Sequence, residues 1–334
     1  MTTSPSTRSA AVTALALGLL IGCSQTRNLG SSSPHGLLPV DERNPILLTN
    51  DGLYDNWQGE YAILLANSGG LKLAGIVVGT SPNVSDLDTN IKEWGKLVTE
   101  ARKSGLEVPE PTPSSGDKLV RPASGQIEAT VANDSEGARA IVELSKELSL
   151  PYRPLVVVTG GRLTDVADAY LIDPSVAERT VVVSSLGAAT DTGGTMTDPN
   201  GEMDPWADVI VTSRFRFVQV SAFYDQLQDV PESRLSELPD TPMGRWIAEK
   251  QPRIWNLPKA ADQVGVLAVA VPGFALQVDR VAAATSVAAD ATVGPTLVTR
   301  ADGPSWLVRR CNGAQAAESF WNALRALPDA AIAP

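Results

Sequence analysis

From residue 45 onward, short apolar runs alternate with stretches of helical periodicity, and this alternation leaves the chain few architectures. Residues 46–49 have strand character, residues 60–67 read as a helix, and residues 73–78 form the next strand. Across residues 90–104, Ile91, Trp94, Leu97, Val98 and Ala101 share one helical face, and Gly105 supplies a stop. A proline-rich loop is expected over residues 108–122. Ser135 has the chemistry of an N-cap for a helix through Leu148, with Ile141, Val142 and Leu148 turned inward. Residues 155–158, 180–183 and 215–220 are further strands, each close to a helix. Strands alternating with helices predict an α/β fold, a mainly parallel sheet with helices on both faces.

The chain ahead of this pattern is of another kind. Arg8 precedes an apolar or small-residue stretch over residues 10–21, which is too short to span a bilayer and has the layout of a secretory signal. Leu20-Ile21-Gly22-Cys23 resembles a bacterial lipobox, in which the cysteine becomes the lipidated first residue. Residues 24–43 are rich in Ser, Asn, Gly and Pro and hold the single histidine, His35, which reads as a solvated linker residue. The expected organisation is a signal peptide over 1–22, a tether over 23–43 and one domain over 44–334. The chain is expected to be an exported lipoprotein of the bacterial cell envelope, held to a membrane through Cys23 and facing the periplasm or the outside. After processing, Cys311 has no cysteine partner within the mature chain. A net charge of −11, with no basic run, argues against a nucleic-acid partner. Homo-oligomerisation is left open.

The strand over residues 46–49 empties into Asn50-Asp51-Gly52-Leu53-Tyr54-Asp55-Asn56. That places two carboxylates at the C-terminal end of a strand, where open α/β sheets bind ligands. Neighbouring carboxylates need a cation, a shared proton or solvent to coexist, although Asn, Asp and Gly are also the ordinary residues of a solvated turn. Three other segments are expected at the same sheet edge. They are Thr159-Gly160-Gly161 after the strand 155–158, Gly201-Glu202-Met203-Asp204-Pro205-Trp206-Ala207-Asp208, and Ala261-Asp262-Gln263. Together they hold enough oxygen ligands for Ca²⁺ and for sugar hydroxyls.

These segments resemble, in order, the motifs of the inosine-uridine-preferring nucleoside hydrolases. The family's opening D-x-D-P-G-x-D-D is matched by residues 49–56, and its P-T-G-G-L-T-N by Val158-Thr159-Gly160-Gly161-Arg162-Leu163-Thr164-Asp165, with one residue inserted. Its E-F-N motif resembles Glu202-Met203-Asp204, its H-D-P helix start aligns with Ala261-Asp262-Gln263, and Phe320-Trp321 falls on a helix like the family's last. The resemblance implies a Rossmann-like sheet and hydrolysis of the N-glycosidic bond of a ribonucleoside or related ribosyl compound. It also implies one Ca²⁺ whose bound water loses its proton to an aspartate. Carried across, Asp51 is the base and a calcium ligand, with Asn56, the Thr159 carbonyl and Asp262 completing the metal set. Asp55, Asn83, Glu202, Asp204 and Asp262 are the implied sugar contacts.

The departures point the other way. Asn56 replaces a second adjacent aspartate, removing one charge from the metal site. Ala261 stands in place of the leaving-group histidine, and residues 44–334 contain no histidine to substitute. General-acid help is worth ~10²–10⁴-fold, so a purine would depart with little assistance. The alternative is a catalytically weak or inactive lipoprotein that binds a sugar or nucleoside.

Overall fold

Strand β1 (Pro45–Asn50) is buried along its whole length, as a run apolar on both sides requires. It belongs to a computed structural model that describes residues 38–52, 58–80, 85–185, 190–191, 199–221, 232–250, 262–284 and 295–327, with the side chains of Thr190, Asp191, Pro199, Glu202, Glu232, Ser233 and Leu235 left out. The signal, Cys23 and His35 lie outside the described residues. The described residues all fall within the unit Pro34–Pro334.

After β1 the chain forms α1 (Gln58–Asn67), β2 (Lys72–Val78), α2 (Leu87–Lys103) and β3 (Pro111–Pro113). Then come α3 (Glu136–Leu148), β4 (Leu155–Gly160), α4 (Thr164–Ile172), α5 (Val176–Arg179) and β5 (Thr180–Ser185). The middle of the chain holds β6 (Thr190–Asp191), α6 (Pro199–Met203), α7 (Pro205–Arg214), β7 (Arg216–Val220), α8 (Pro242–Lys250) and α9 (Gln263–Ala270). It closes with β8 (Ala275–Ala284), β9 (Thr296–Thr299), β10 (Ser305–Cys311) and α10 (Gly313–Arg325). Local chemistry sets several of these bounds. The Asp86 carboxylate accepts from Thr89 N at 2.8 Å to start α2, and Ser135 Oγ accepts from Ala138 N at 3.2 Å to start α3. Gly105 follows α2 at φ 78°, a left-handed conformation that favours glycine.

The strands form one sheet in the order β3-β2-β1-β4-β5-β7-β10-β8-β9-β6. Every pair from β3 to β10 is parallel, while β8 runs antiparallel to both β10 and β9. The fold is therefore α/β with a mainly parallel sheet. Ile46, Leu48, Val156, Val158, Val181 and Val183 pack on one face under α1, α2, α8, α9 and α10. Leu47, Val157, Val182 and Phe217 pack on the other under α3, α4, α5 and α7. Close approach of α1 to α2 depends on Gly59, where a Cβ would come within 2.6 Å of the Trp94 ring. The stretch expected as a proline-rich loop contributes β3, paired Ile76↔Pro111 and Val78↔Pro113. It lies at the sheet edge, where proline is tolerated because one side of the strand makes no ladder bonds.

Candidate active site

The strand order reverses between β1 and β4. From β1 the chain steps outward through β2 and β3, then returns to lay down β4, β5 and β7 on the other side. The crevice outside the C-terminal ends of β1 and β4 is the switch point, where sheets of this kind bind ligands. Asn50 and Gly160 are register partners at that point. Asp51 follows the first and Gly161 the second.

A fixed polar set gathers around the two glycines. A Cβ on Gly160 would lie 2.7 Å from Asn50 Nδ2, 2.7 Å from Gln58 Oε1 and 2.8 Å from Asp262 Oδ2, so only glycine lets these three groups meet. Asn50 Nδ2 donates to Gln58 Oε1 at 2.9 Å and reaches Asp262 Oδ2 at 3.5 Å, while Asn50 Oδ1 accepts from Gly52 N at 2.9 Å. On Gly161 a Cβ would fall 2.8 Å from Asp51 Cγ, which places the Asp51 side chain directly over the glycine pair. The backbone of Asp51 is held from the other side by Asn90, wholly buried on α2. Its Nδ2 donates to the carbonyls of Asp51 and Gly79, the latter at 2.9 Å. Asp262 is buried just ahead of α9, and its carbonyl accepts from Ser185 Oγ. Ser185 Oγ in turn accepts from Gly265 N at 3.1 Å, tying α9 to the end of β5.

No protein-family model and no curated protein matches the sequence. Solved structures do match. A plant nucleoside hydrolase, PpNRh1, superposes with a TM-score of 0.62 at 12% identity, over 85% of this chain and 99% of that one. The purine-preferring ribonucleoside hydrolase from Gardnerella vaginalis gives 0.62 at 17% identity, over 87% and 100%. The fold is that of the nucleoside hydrolases. A type III effector, XopQ, solved in complex with adenosine diphosphate ribose, gives 0.52 at 16% identity, over 88% and 96%.

Measured against nucleoside-hydrolase motifs, the structure brings Asp51, Asp262 and the Thr159-Gly160 strand end together. Thr159 lies in β4 between Thr49 and Ser184, and its hydroxyl has no hydrogen-bond partner among the described residues. Asp55, Asn56, Asn83 and Ala261 lie outside the described residues, and Glu202 is described only as backbone in α6. Asp204, an expected sugar contact, is engaged by the protein itself. It is the N-cap of α7, wholly buried, and accepts from Ala207 N at 3.1 Å, Leu119 N at 3.0 Å and Thr164 Oγ1 at 2.8 Å. Those three donors give it a bracing role between α4, α7 and residue 119. Burial pushes its pKa up against these bonds.

Two further groups were not foreseen. Asp168, wholly buried on α4, accepts from the backbone N of Asn133, Asp134 and Ser135 at 2.8, 3.2 and 2.9 Å, and from Ser135 Oγ at 2.9 Å. It thereby shapes the turn that starts α3. Arg162, the residue inserted after the glycine pair, donates through Nη2 to Thr80 Oγ1 at 2.7 Å and to the Gly116 carbonyl. As donors to a metal, the Asp51 and Asp262 carboxylates and the Asn50 and Gln58 amides are all hard oxygens, the chemistry calcium takes. Among the described residues no three His, Cys, Asp or Glu side chains gather as a ligand cluster. The described donor set thus suits a hard cation and needs further ligands to complete a coordination sphere.

Proposed function

We propose that the protein hydrolyses the N-glycosidic bond of a ribosyl compound at the β1/β4 switch point. The observation that carries this reading is the convergence of Asp51, Asn50, Gln58 and Asp262 around Gly160-Gly161, within a nucleoside-hydrolase fold. Asp51 is the general base. Its carboxylate takes the proton of the attacking water, the hydroxyl adds to the anomeric carbon, and the C–N bond electrons leave on the departing nitrogen of the leaving group. Asn90 fixes the Asp51 backbone, so the carboxylate is positioned before substrate arrives. Asp55 and Glu202 accept ribose hydroxyls, with Asn83 as a further sugar contact. Calcium, held by Asp51, Asn56, the Thr159 carbonyl and Asp262, would acidify water and hold ribose hydroxyls when bound.

With Ala261 in place of a histidine, the leaving group must carry its own charge. That favours a good leaving group over inosine. The same substitution is the observation behind a second reading, a lipoprotein that binds a ribosyl compound without turnover. XopQ, a protein of similar fold, was solved in complex with adenosine diphosphate ribose.

Calorimetric titration with calcium, then with ribose, tests the site before any substrate is chosen. Calcium is expected to bind and to raise the melting temperature by mass action. Asn56→Asp, which restores a charge, is expected to tighten that binding. Unchanged calcium affinity in Asn56→Asp would remove the metal from this loop.

A further inference from the structure

The guanidinium of Arg162 lies across the C-terminal ends of two strands. Its Nη2 bonds Thr80, two residues beyond β2, and Gly116, three residues beyond β3. Its backbone directly follows Gly161, the glycine against Asp51. The side chain therefore borders the crevice on the β2 side of the Asp51 carboxylate.

Both of its acceptors are neutral, a hydroxyl and a carbonyl, and both are reached through one nitrogen. Among the described residues Nε and Nη1 form no hydrogen bond, and the guanidinium forms no ion pair. Arg216 and Arg280 likewise bond backbone carbonyls without an ion pair among the described residues, whereas several other arginines pair with carboxylates. Arg139 pairs with Asp134, Arg179 with Asp173, Arg214 with Glu128 and Arg309 with Asp279. Asp165 and Asp204 feel the field of Arg162 but do not bond to it. The Asp165 Oδ1 accepts from Ser114 and Ser135 instead, and the Asp204 oxygens from the three donors named above. In a chain of net charge −11, this half-buried guanidinium borders the crevice with Nε and Nη1 available to an anionic ligand, and Asp165 and Asp204 lie within its field without bonding it. A guanidinium fork with free donors matches phosphate in geometry as well as charge.

We propose that Arg162 is a specificity residue that binds the phosphate of an anionic ribosyl substrate, so that the site takes a ribosyl phosphate rather than a neutral nucleoside. The proposal rests on the ribosyl-site reading above and adds the charge class of the substrate. Thr80 and Gly116 hold the guanidinium in place, and ligand phosphate takes the donors they leave.

Isothermal titration of the full chain with ribose and with ribose 5-phosphate tests it. Ribose 5-phosphate is expected to bind about tenfold or more tightly than ribose, the range of a charge-assisted Arg–phosphate contact. Arg162→Gln is expected to bring the two sugars within about twofold of each other. Arg162→Lys, which keeps the charge but loses the fork, is expected to retain part of the preference. Equal binding of both sugars by the native chain overturns the proposal and leaves the ribosyl site standing. So does a phosphate preference that survives in Arg162→Gln. Failure of both sugars to bind overturns the ribosyl site and the proposal together.

Discussion

Asp165 shows how a single carboxyl near the crevice couples to pH. The residue is partly exposed, yet its carboxyl is enclosed by Ser114, Ser135 and the backbone at Gly79 and Gly116. Burial raises its pKa above the usual 3.8, outweighing the two serine hydrogen bonds and the Arg162 field that favour the charged form. The folded state therefore holds this proton more tightly than the unfolded one. Its contribution to stability is fully present below 3.8 and is lost as pH rises through the folded pKa. Asp165→Asn keeps an oxygen for both serines and stays neutral throughout. It is expected to melt higher than the parent at neutral pH and to converge with it as pH falls toward about 4. A melting difference that does not change with pH would contradict this assignment. Asp51 and Asp262 were legible in the sequence because strand-end carboxylates in a fixed order carry a motif. Asn50, Gln58, Asn90 and Arg162 were not, since their partners are set by the fold. Asn50 meets Asp262 across 212 positions, and nothing local to Asn90 points to the carbonyl of Asp51.

Helices α1 and α8 are joined by a buried charge pair. Lys250 Nζ donates to Glu60 Oε1 at 2.5 Å, and Trp246 Nε1 reaches the same oxygen at 3.2 Å. Glu60 is fully buried and Lys250 is 9% exposed, so neither is screened by water as a surface pair is. Removing one partner leaves a charge behind. Lys250→Met is expected to lower the unfolding free energy by about 3–5 kcal/mol, whereas Glu60→Leu with Lys250→Met recovers most of that loss. Urea unfolding of the two variants checks it, and equal losses in single and double variants would show that the charge pair is not the cause. The parallel strands β1, β2, β4 and β5 were readable from apolar runs, and β7 from Phe217, Val218 and Val220 around the polar Gln219. The segment of β8 was not, because Ala275–Ala284 is rich in alanine, carries Gln277, Asp279 and Arg280, and is mostly half-buried. Its strand state comes from pairing with β10 and β9, through Leu307↔Asp279 and Ala283↔Leu297. Tertiary pairing overrides weak local preference there.

For the molecule as a whole, we propose an exported chain anchored through a lipidated Cys23, with its ribosyl site at one sheet edge. The anchor is tested by mass spectrometry of the mature protein. A lipidated Cys23 whose processing is blocked by globomycin is the expected result, and an unmodified N-terminus beyond Cys23 would contradict it. The catalytic claim is tested by release of p-nitrophenol from p-nitrophenyl riboside in the presence of calcium, an O-glycoside attacked at the same anomeric carbon whose leaving group needs no acid. Slow release by the native chain is expected, with inosine turned over far more slowly. In Asp51→Asn, release is expected to fall by ~10²-fold or more, the scale of a lost general base. Undiminished release by Asp51→Asn would show that Asp51 is not the base, and no release by the native chain with calcium and sugar bound would contradict the hydrolase itself.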